Sequence, residues 1–354
     1  MNRLDDNALE SYDYPLPPAQ IAQQPPTHRC ASRLLEFPRR GPFTVSHHHM
    51  ANLPELLTGQ EVIVFNDAKV VPARLRGRKV PTGGAVELLA LNAWDLGARS
   101  MEAIGRSSKK LRVGTVVRVG DVELEVRRAG AGGRYSLALP ERMSLIELLE
   151  THGELPLPPY ITRTDGPSST DQRRYQTAFA ATPGAAAAPT AGLHFDDALI
   201  DRLRARGCQV HFITLHVGLG TFLPVRQENL DDVDMHAERL SIPMETAEAV
   251  NTARRCGRPI LAIGTTVVRA LEGSAAQSKD HLVTPGEIST RLFLRPGSTF
   301  HVVDQLLTNF HLPKSTLLML VSAFAERRRV LQAYAAAIEA GYRFYSYGDA
   351  MVIR

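Results

Sequence analysis

The chain has 354 residues and a formal net charge of +4; that length exceeds what one core usually serves, so two domains are expected, and so mild a charge does not by itself argue for nucleic acid. Cys30, Cys208 and Cys256 form no CxxC pair, which argues against zinc ribbons, iron-sulfur clusters and a secreted disulfide framework and makes a reducing cytoplasm the expected compartment. The polar run Met1 to Glu10 lacks the apolar region of a secretory signal, and the longest apolar stretch, Leu317 to Ala325, is too short to span a bilayer and reads as a buried helix.

In chain order, Glu61-Val-Ile-Val-Phe65 with Asn66-Asp67 reads as a buried strand and its turn. From Val80 the texture changes to short alternating segments, Val86 to Ala90, Val116 to Val119 and Val122 to Val126, separated by glycines. They predict a small β-barrel or sandwich. Residues 74–157 form this insert, which closes near Leu155-Pro-Leu-Pro-Pro-Tyr160 and leaves 1–73 and 158–354 as a discontinuous body. Between Arg74 and Arg134 there are thirteen basic and six acidic residues. That local excess favours a phosphate backbone through counterion release; a solvated basic surface is the plainer alternative.

Thr164 to Gln172, polar and proline-containing, is expected to be a mobile loop. Asp196 or Asp197 can cap a helix with Leu199, Ile200 and Leu203 on one face and Gly207 as its stop. Gln209 to Leu215 follows as a strand, Met244 to Cys256 as a helix, Ile260 to Ile263 as a buried strand, and Thr266 to Glu272 begins another helix. Phe300 to Phe310 reads as a strand, Thr316 to Ala325 and Val330 to Ala340 as helices, and Tyr342 to Tyr347 as an extended segment after the stop at Gly341. The fold class expected is α/β: a mixed-sheet main domain interrupted by a small inserted β-barrel domain.

Six runs fit neither a helical nor a strand period: Ala188-Pro-Thr-Ala-Gly-Leu-His-Phe195, His216-Val-Gly-Leu-Gly-Thr-Phe222, Met235-His-Ala-Glu238, Gly264 to Glu272, Thr308 to Ser315 and Tyr345 to Ala350. Glycines and small polar residues in such runs mark backbone that closely approaches a ligand. Gly264-Thr265-Thr266 between a strand and a helix offers amides and hydroxyls to an anion, or is an ordinary cap. Arg269 and Glu272 at i+3 spacing could be a surface ion pair instead of ligands. Among His194, His216, His236 and His311, at least one is a candidate for proton transfer near neutral pH. His236 and Glu238 at i, i+2, with His47-His48-His49 elsewhere, raise a metal reading, but no HExxH or comparable spacing appears and no metal is expected. Tyr345, Tyr347 and Asp349 would share one face if extended, suiting a cation or a stacked base. Asn309 and His311 are either ligand contacts or structural loop residues. Gly218-Leu-Gly-Thr221 lacks the third glycine of a dinucleotide fingerprint.

Taken together, Phe65-Asn-Asp, Val71-Pro-Ala-Arg74, Ala188 to Phe195, His216 to Arg226, Met235 to Glu238, Gly264 to Thr266, Thr308 to Thr316 and Tyr342 to Ala350 closely resemble the S-adenosylmethionine:tRNA ribosyltransferase-isomerases of queuosine biosynthesis. The family commonly has Asn-Asp-Thr-Arg-Val where this chain has Asn66 to Val70, and a histidine at Val233. The resemblance implies that S-adenosylmethionine is consumed as a ribosyl donor. Its ribosyl unit passes to 7-aminomethyl-7-deazaguanine at the wobble position of a tRNA with a GUN anticodon, giving epoxyqueuosine, adenine and methionine. No other cofactor is required, and a monomer is expected in the cytoplasm. Set against that chemistry, His216 or His236 is the expected base, with Glu238 and Asp349 as further catalytic candidates. The donor would be held by Thr190, Gly192, His194, Phe195, Gly218, Gly220, Thr221, Gly264, Thr265, Thr266, Arg269, Asn309, His311, Tyr345 and Tyr347. Arg74, Arg76, Arg78 and Lys79 would meet tRNA phosphates. A metal-dependent hydrolase using His236 and Glu238, and an RNA-binding protein without catalysis, are the competing readings.

Overall fold

Residues 5–218, 230–233, 235 and 237–354 are described by the structure, a computed structural model. Strands β1 (Arg33–Phe37) and β2 (Ser46–His49) precede a one-turn helix α1 (Leu53–Leu56) and strands β3 (Val62–Asn66) and β4 (Ala68–Val70). The chain then runs through β5 (Arg74–Val80), β6 (Ala85–Ala90), β7 (Ser100–Ser107), β8 (Val116–Val119), β9 (Val122–Ala129), β10 (Arg134–Ala138), α2 (Leu145–His152) and β11 (Gly153–Glu154). It continues with α3 (Ser169–Arg174), β12 (Thr182–Ala185), α4 (Asp197–Ala205), β13 (Gln209–Leu215), β14 (Glu238–Ile242), α5 (Met244–Arg255), β15 (Ile260–Ile263) and α6 (Thr265–Ala275). Last come β16 (Gly286–Thr290), β17 (Gln305–Asn309), α7 (Thr316–Ala325), α8 (Arg327–Glu339) and β18 (Ala350–Ile353).

Among the described residues the main sheet has the order β16-β14-β13-β3-β15-β17-β18-β1-β2, and its centre, β13-β3-β15-β17, is parallel. A central parallel strand is covered on both faces, so β3 is apolar without alternation. Val62 and Val64 join a core with Val250, Leu271, Leu318 and Tyr334, while Ile63 and Phe65 join the opposite core with Leu53, Leu199 and Leu203. Asp196 caps α4 by accepting the Leu199 amide at 2.9 Å. At the other end of α4, Gly207 has φ 106° and lies so near Gly59 that a Cβ would sit 2.9 Å from its carbonyl oxygen, which restricts the turn to glycine.

The second sheet, β5-β6-β7-β10-β9-β8, closes into a barrel through pairing of β5 with β8. Leu75, Leu88, Met101, Val117, Leu124 and Leu137 fill it, and Leu145, Leu148 and Leu149 of α2 pack into the same cluster. Its strands β6, β8 and β9 carry the alternation read from the sequence. β11 pairs with the first residues of β5, Gly153 opposite Leu75 and Glu154 opposite Arg74, so the chain enters and leaves the barrel side by side. No helix among the described residues is long and apolar enough to cross a membrane.

Three expectations are corrected. Only Gln305–Asn309 of the Phe300 to Phe310 run is a strand, because the amides of His301, Val302 and Val303 donate to the buried Glu272 carboxylate at 2.8, 3.0 and 2.9 Å instead of to a ladder. Tyr342 to Tyr347 is a turn, not an extended segment: Tyr345 has φ 71°, and Asp349 accepts the amides of Arg33 at 3.0 Å and Arg343 at 2.8 Å. Thr164 to Gln172 is also not a loop throughout. Ser168 caps α3, and Asp171 within it takes a two-pronged ion pair from Arg163 at 2.8 and 2.9 Å.

Candidate active site

The parallel strands β3, β13, β15 and β17 end at Asn66, Leu215, Ile263 and Asn309, and the loops that follow gather at this edge. Open α/β sheets bind ligands at such carboxyl ends, and the chain here passes to opposite sides of β3, first to β13 and then to β15. A cleft lies here, lined by residues 188–191, Val217, 264–266, 308–312, Leu317, Tyr160 and 345–346. Four of the six runs singled out in the sequence therefore meet, joined by one residue of a fifth. Gly264 has φ 95°, and a Cβ on it would lie 3.3 Å from that of Ala191. With no side chain, it leaves the start of α6 without a side-chain cap, a position where backbone amides and helix dipole favour an anion. Across the cleft the rings of Tyr160 and Tyr345 pack at 4.7 Å. Burial pushes the Tyr345 hydroxyl up to about 12, so it is a neutral phenol at physiological pH.

The four histidines have different surroundings. His194 is buried, its Nδ1 2.9 Å from Ser32 Oγ and its Nε2 3.0 Å from Asn309 Nδ2; burial holds its pKa down at about 3. His311 is also buried and neutral, lowered to about 3 by desolvation, with Nε2 2.9 Å from Thr308 Oγ1. His216 follows β13 and is half-buried. Its Nδ1 has no hydrogen-bond partner among the described residues, and burial, followed by the nearby Arg239 charge, lowers its pKa despite Glu287. His236, with Gly220 and Thr221, lies outside the described residues.

Not every expected ligand residue lines the cleft. Thr190, Gly264, Thr265, Thr266, Asn309, His311 and Tyr345 do. Phe195 instead meets Phe65 edge-on in the core at 4.9 Å, and Gly192 is pressed against Phe179. Gly218 is not among the lining residues. The Tyr347 hydroxyl donates to Asp171 at 2.9 Å, while the Asp349 carboxylate pins the turn described above. Glu238 and Arg269 form a buried ion pair joining β14 to α6, so Arg269 is not the surface partner of Glu272. His47 and His48 on β2 bond the Tyr342 hydroxyl and Glu36, and no cluster of metal-ligating side chains occurs among the described residues.

Of the lining residues, Tyr160 and Leu317 lie outside the six runs that the sequence singles out. Tyr160 was visible only as the end of a proline-rich linker. Asn66 has the composition of a turn residue, and its carboxamide ties the ends of β3 and β13, donating to the Leu215 carbonyl and accepting its amide, each at 3.0 Å.

On the barrel, Arg76, Arg78 and Lys79 of β5 line a groove with Arg106 of β7 and Arg118 of β8. Arg74 is elsewhere, donating to the Leu157 carbonyl at 2.7 Å. Arg76 and Arg118 pair with Glu154 and Glu123 at exposed positions, where such pairs contribute little and exchange readily for phosphate. Arg106 and Arg118 count toward the charge excess but depend on pairing across the sheet: barrel closure sets Arg118 opposite Arg78, and β6 carries Arg106 into register with Glu87 and Arg76.

Fold and cleft define a class: an α/β body with a cleft at its parallel strand ends and an inserted barrel with a basic groove. The family described as queuosine biosynthesis protein matches residues 9–353. A Sorangium cellulosum protein named S-adenosylmethionine:tRNA ribosyltransferase-isomerase is 49% identical, with 98% of each chain covered, and a Thermus thermophilus protein of the same name is 48% identical over 98% of this chain and 99% of its own. The crystal structure of S-adenosylmethionine tRNA ribosyltransferase from Thermotoga maritima superposes with a TM-score of 0.54 at 31% identity, covering 97% of this chain and all of that one. The chain belongs to this family of queuosine biosynthesis enzymes.

Proposed function

We propose that this protein transfers and isomerises the ribosyl unit of S-adenosylmethionine onto 7-aminomethyl-7-deazaguanine at the wobble position of a GUN-anticodon tRNA, giving epoxyqueuosine and releasing adenine and methionine. The observation that carries the reading is the cleft at the strand ends, where the uncapped start of α6 faces an aromatic wall. The helix start suits the methionine carboxylate, and the apolar wall suits the purine. S-adenosylmethionine is then a consumed substrate, and no other cofactor is needed. The sulfonium acidifies the C5′ hydrogens of the donor, so the reaction needs a base near C5′ and a desolvated amine nucleophile. His216 is the candidate for the first role: it does not itself line the cleft but precedes the lining residue Val217, and its lowered pKa keeps the imidazole neutral and able to accept a proton at physiological pH. His236 is the alternative base. The barrel groove would take the tRNA backbone. The enzyme is proposed to act as a monomer in the cytoplasm.

The test is an incubation of labelled S-adenosylmethionine with tRNA carrying the deazaguanine precursor. Adenine, methionine and modified tRNA are expected together, and none of them when the tRNA is omitted. Adenine release that ignores the tRNA, or tRNA binding with no release at all, would refute the proposal.

A further inference from the structure

Asn309 ends β17 and is 2% exposed, yet its Oδ1 has no hydrogen-bond partner among the described residues. Leaving a buried acceptor unmade costs more than a typical hydrogen bond contributes, so such an atom beside a cleft points to a ligand group that completes it. The orientation of the carboxamide follows from its neighbours. Its Nδ2 lies 3.1 Å from the Tyr345 carbonyl oxygen, which can only accept, and 3.0 Å from His194 Nε2. Turning the amide over would set two oxygens face to face, so the nitrogen gives one hydrogen to each neighbour. His194 Nε2 is then an acceptor and its proton sits on Nδ1, donated to Ser32 Oγ at 2.9 Å; Ser32 in turn reaches the Arg29 carbonyl at 3.4 Å. Every donor in this chain is committed, and the one group left over is an acceptor beside the cleft.

The surroundings select what it accepts from. Ala191, Val217, Phe310, Leu312 and Leu317 line the same cleft, the Tyr160 and Tyr345 rings form its wall, and no carboxylate is among the lining residues. An ammonium held at this buried atom would give up its hydration for a single neutral acceptor, with no carboxylate beside it. A flat, neutral amine on an aromatic ring fits both conditions. Resting on the S-adenosylmethionine reading above, we propose that Asn309 Oδ1 accepts a hydrogen bond from the exocyclic amine of the donor's adenine, and that His194 is a positioning residue that holds the Asn309 amide in this orientation.

The experiment measures, without tRNA, the affinity of the wild-type protein for S-adenosylmethionine, for its analogue with unsubstituted purine, and for its analogue with a 6-oxo purine. The purine analogue is expected to bind about 10-fold more weakly, and the 6-oxo analogue weaker still because two acceptors would face each other. Asn309→Ala should bind S-adenosylmethionine and the purine analogue alike. Equal wild-type affinities for S-adenosylmethionine and the purine analogue would overturn the assignment while leaving the donor reading intact, and this comparison needs no variant. Discrimination that persists in folded Asn309→Ala would also overturn it. Absence of any S-adenosylmethionine binding by the wild type would instead overturn the donor reading on which the assignment rests.

Discussion

Replacing Asp171 by asparagine should destabilise the fold in a way that fades as the solution is acidified. The Asp171 side chain is fully buried. Burial alone would raise its pKa, but the Arg163 guanidinium, the Ser168 hydroxyl and amide and the Tyr347 hydroxyl overcome this and hold it at about 2, against an ordinary 3.8. At about 1.36 kcal/mol per pKa unit, that drop gives the carboxylate about 2.4 kcal/mol of stability. Because the folded pKa is the depressed one, this stability is fully present above about pH 4 and is lost as the pH falls toward 2. About half of it remains at pH 3. Asp171→Asn should therefore lower the urea-unfolding free energy by about 2–3 kcal/mol at pH 7, with the gap from wild type roughly halved at pH 3. A gap that stays the same at both pH values would refute the reasoning, since it would mean the carboxylate's charge does not carry the effect. Tyr347 should report the same event: its hydroxyl loses a charged acceptor, so its fluorescence environment should change with the variant.

Further outcomes follow from other contacts. Glu272→Gln turns an amide donor toward the amides of residues 301–303 and should cost about 2 kcal/mol in urea unfolding, whereas a neutral result would deny those three bonds their role. Gly264→Ala places a side chain at φ 95° and 3.3 Å from the Ala191 Cβ; binding of S-adenosylmethionine should fall at least 10-fold by calorimetry, and an unchanged affinity would remove this helix start from the donor site. Charge removal at Arg78, Lys79 and Arg106 together should flatten the log-log salt dependence of tRNA affinity by roughly 2 to 3, and an unaltered slope would count against the groove as a phosphate track. In single turnover, His216→Ala should slow ribosyl transfer far more than it weakens tRNA binding. Because burial lowers the His216 pKa, the acid limb of the wild-type rate should fall below pH 6.5; a limb above that value would contradict the assignment.

Much of this architecture was legible because it rests on local rules. The unbroken apolar run of β3, the Asp196 cap of α4 and the alternation of β9 follow from periodicity and capping, and the structure has each of them. What was illegible depends on partners far away in the chain. Residues 300–304 have strand composition, but a carboxylate on α6 intercepts their amides, and no window around Phe300 contains Glu272. Tyr345 and Tyr347 alternate in sequence, but the Asp349 contact with Arg33 folds that stretch into a turn. At the cleft, the small-residue runs were readable as backbone that must approach something. The separate roles of their histidines were not, because desolvation and hydrogen-bond direction decide whether an imidazole moves a proton, and both are properties of the packed site.

The antiparallel contact between Gly153 to Glu154 and Arg74 to Leu75 brings the two roots of the barrel side by side, and its further contacts with the body include Trp94 beneath the Arg239 guanidinium. Closing the gap between its two roots would take no more than a tight turn, so the body's strand order does not depend on what lies beyond them. Lesions in the barrel and lesions in the body are thus separable: the first should abolish the grip on a polynucleotide while sparing small-molecule affinity, and evolution could resize or recharge the appendage without reopening the sheet that carries the chemistry.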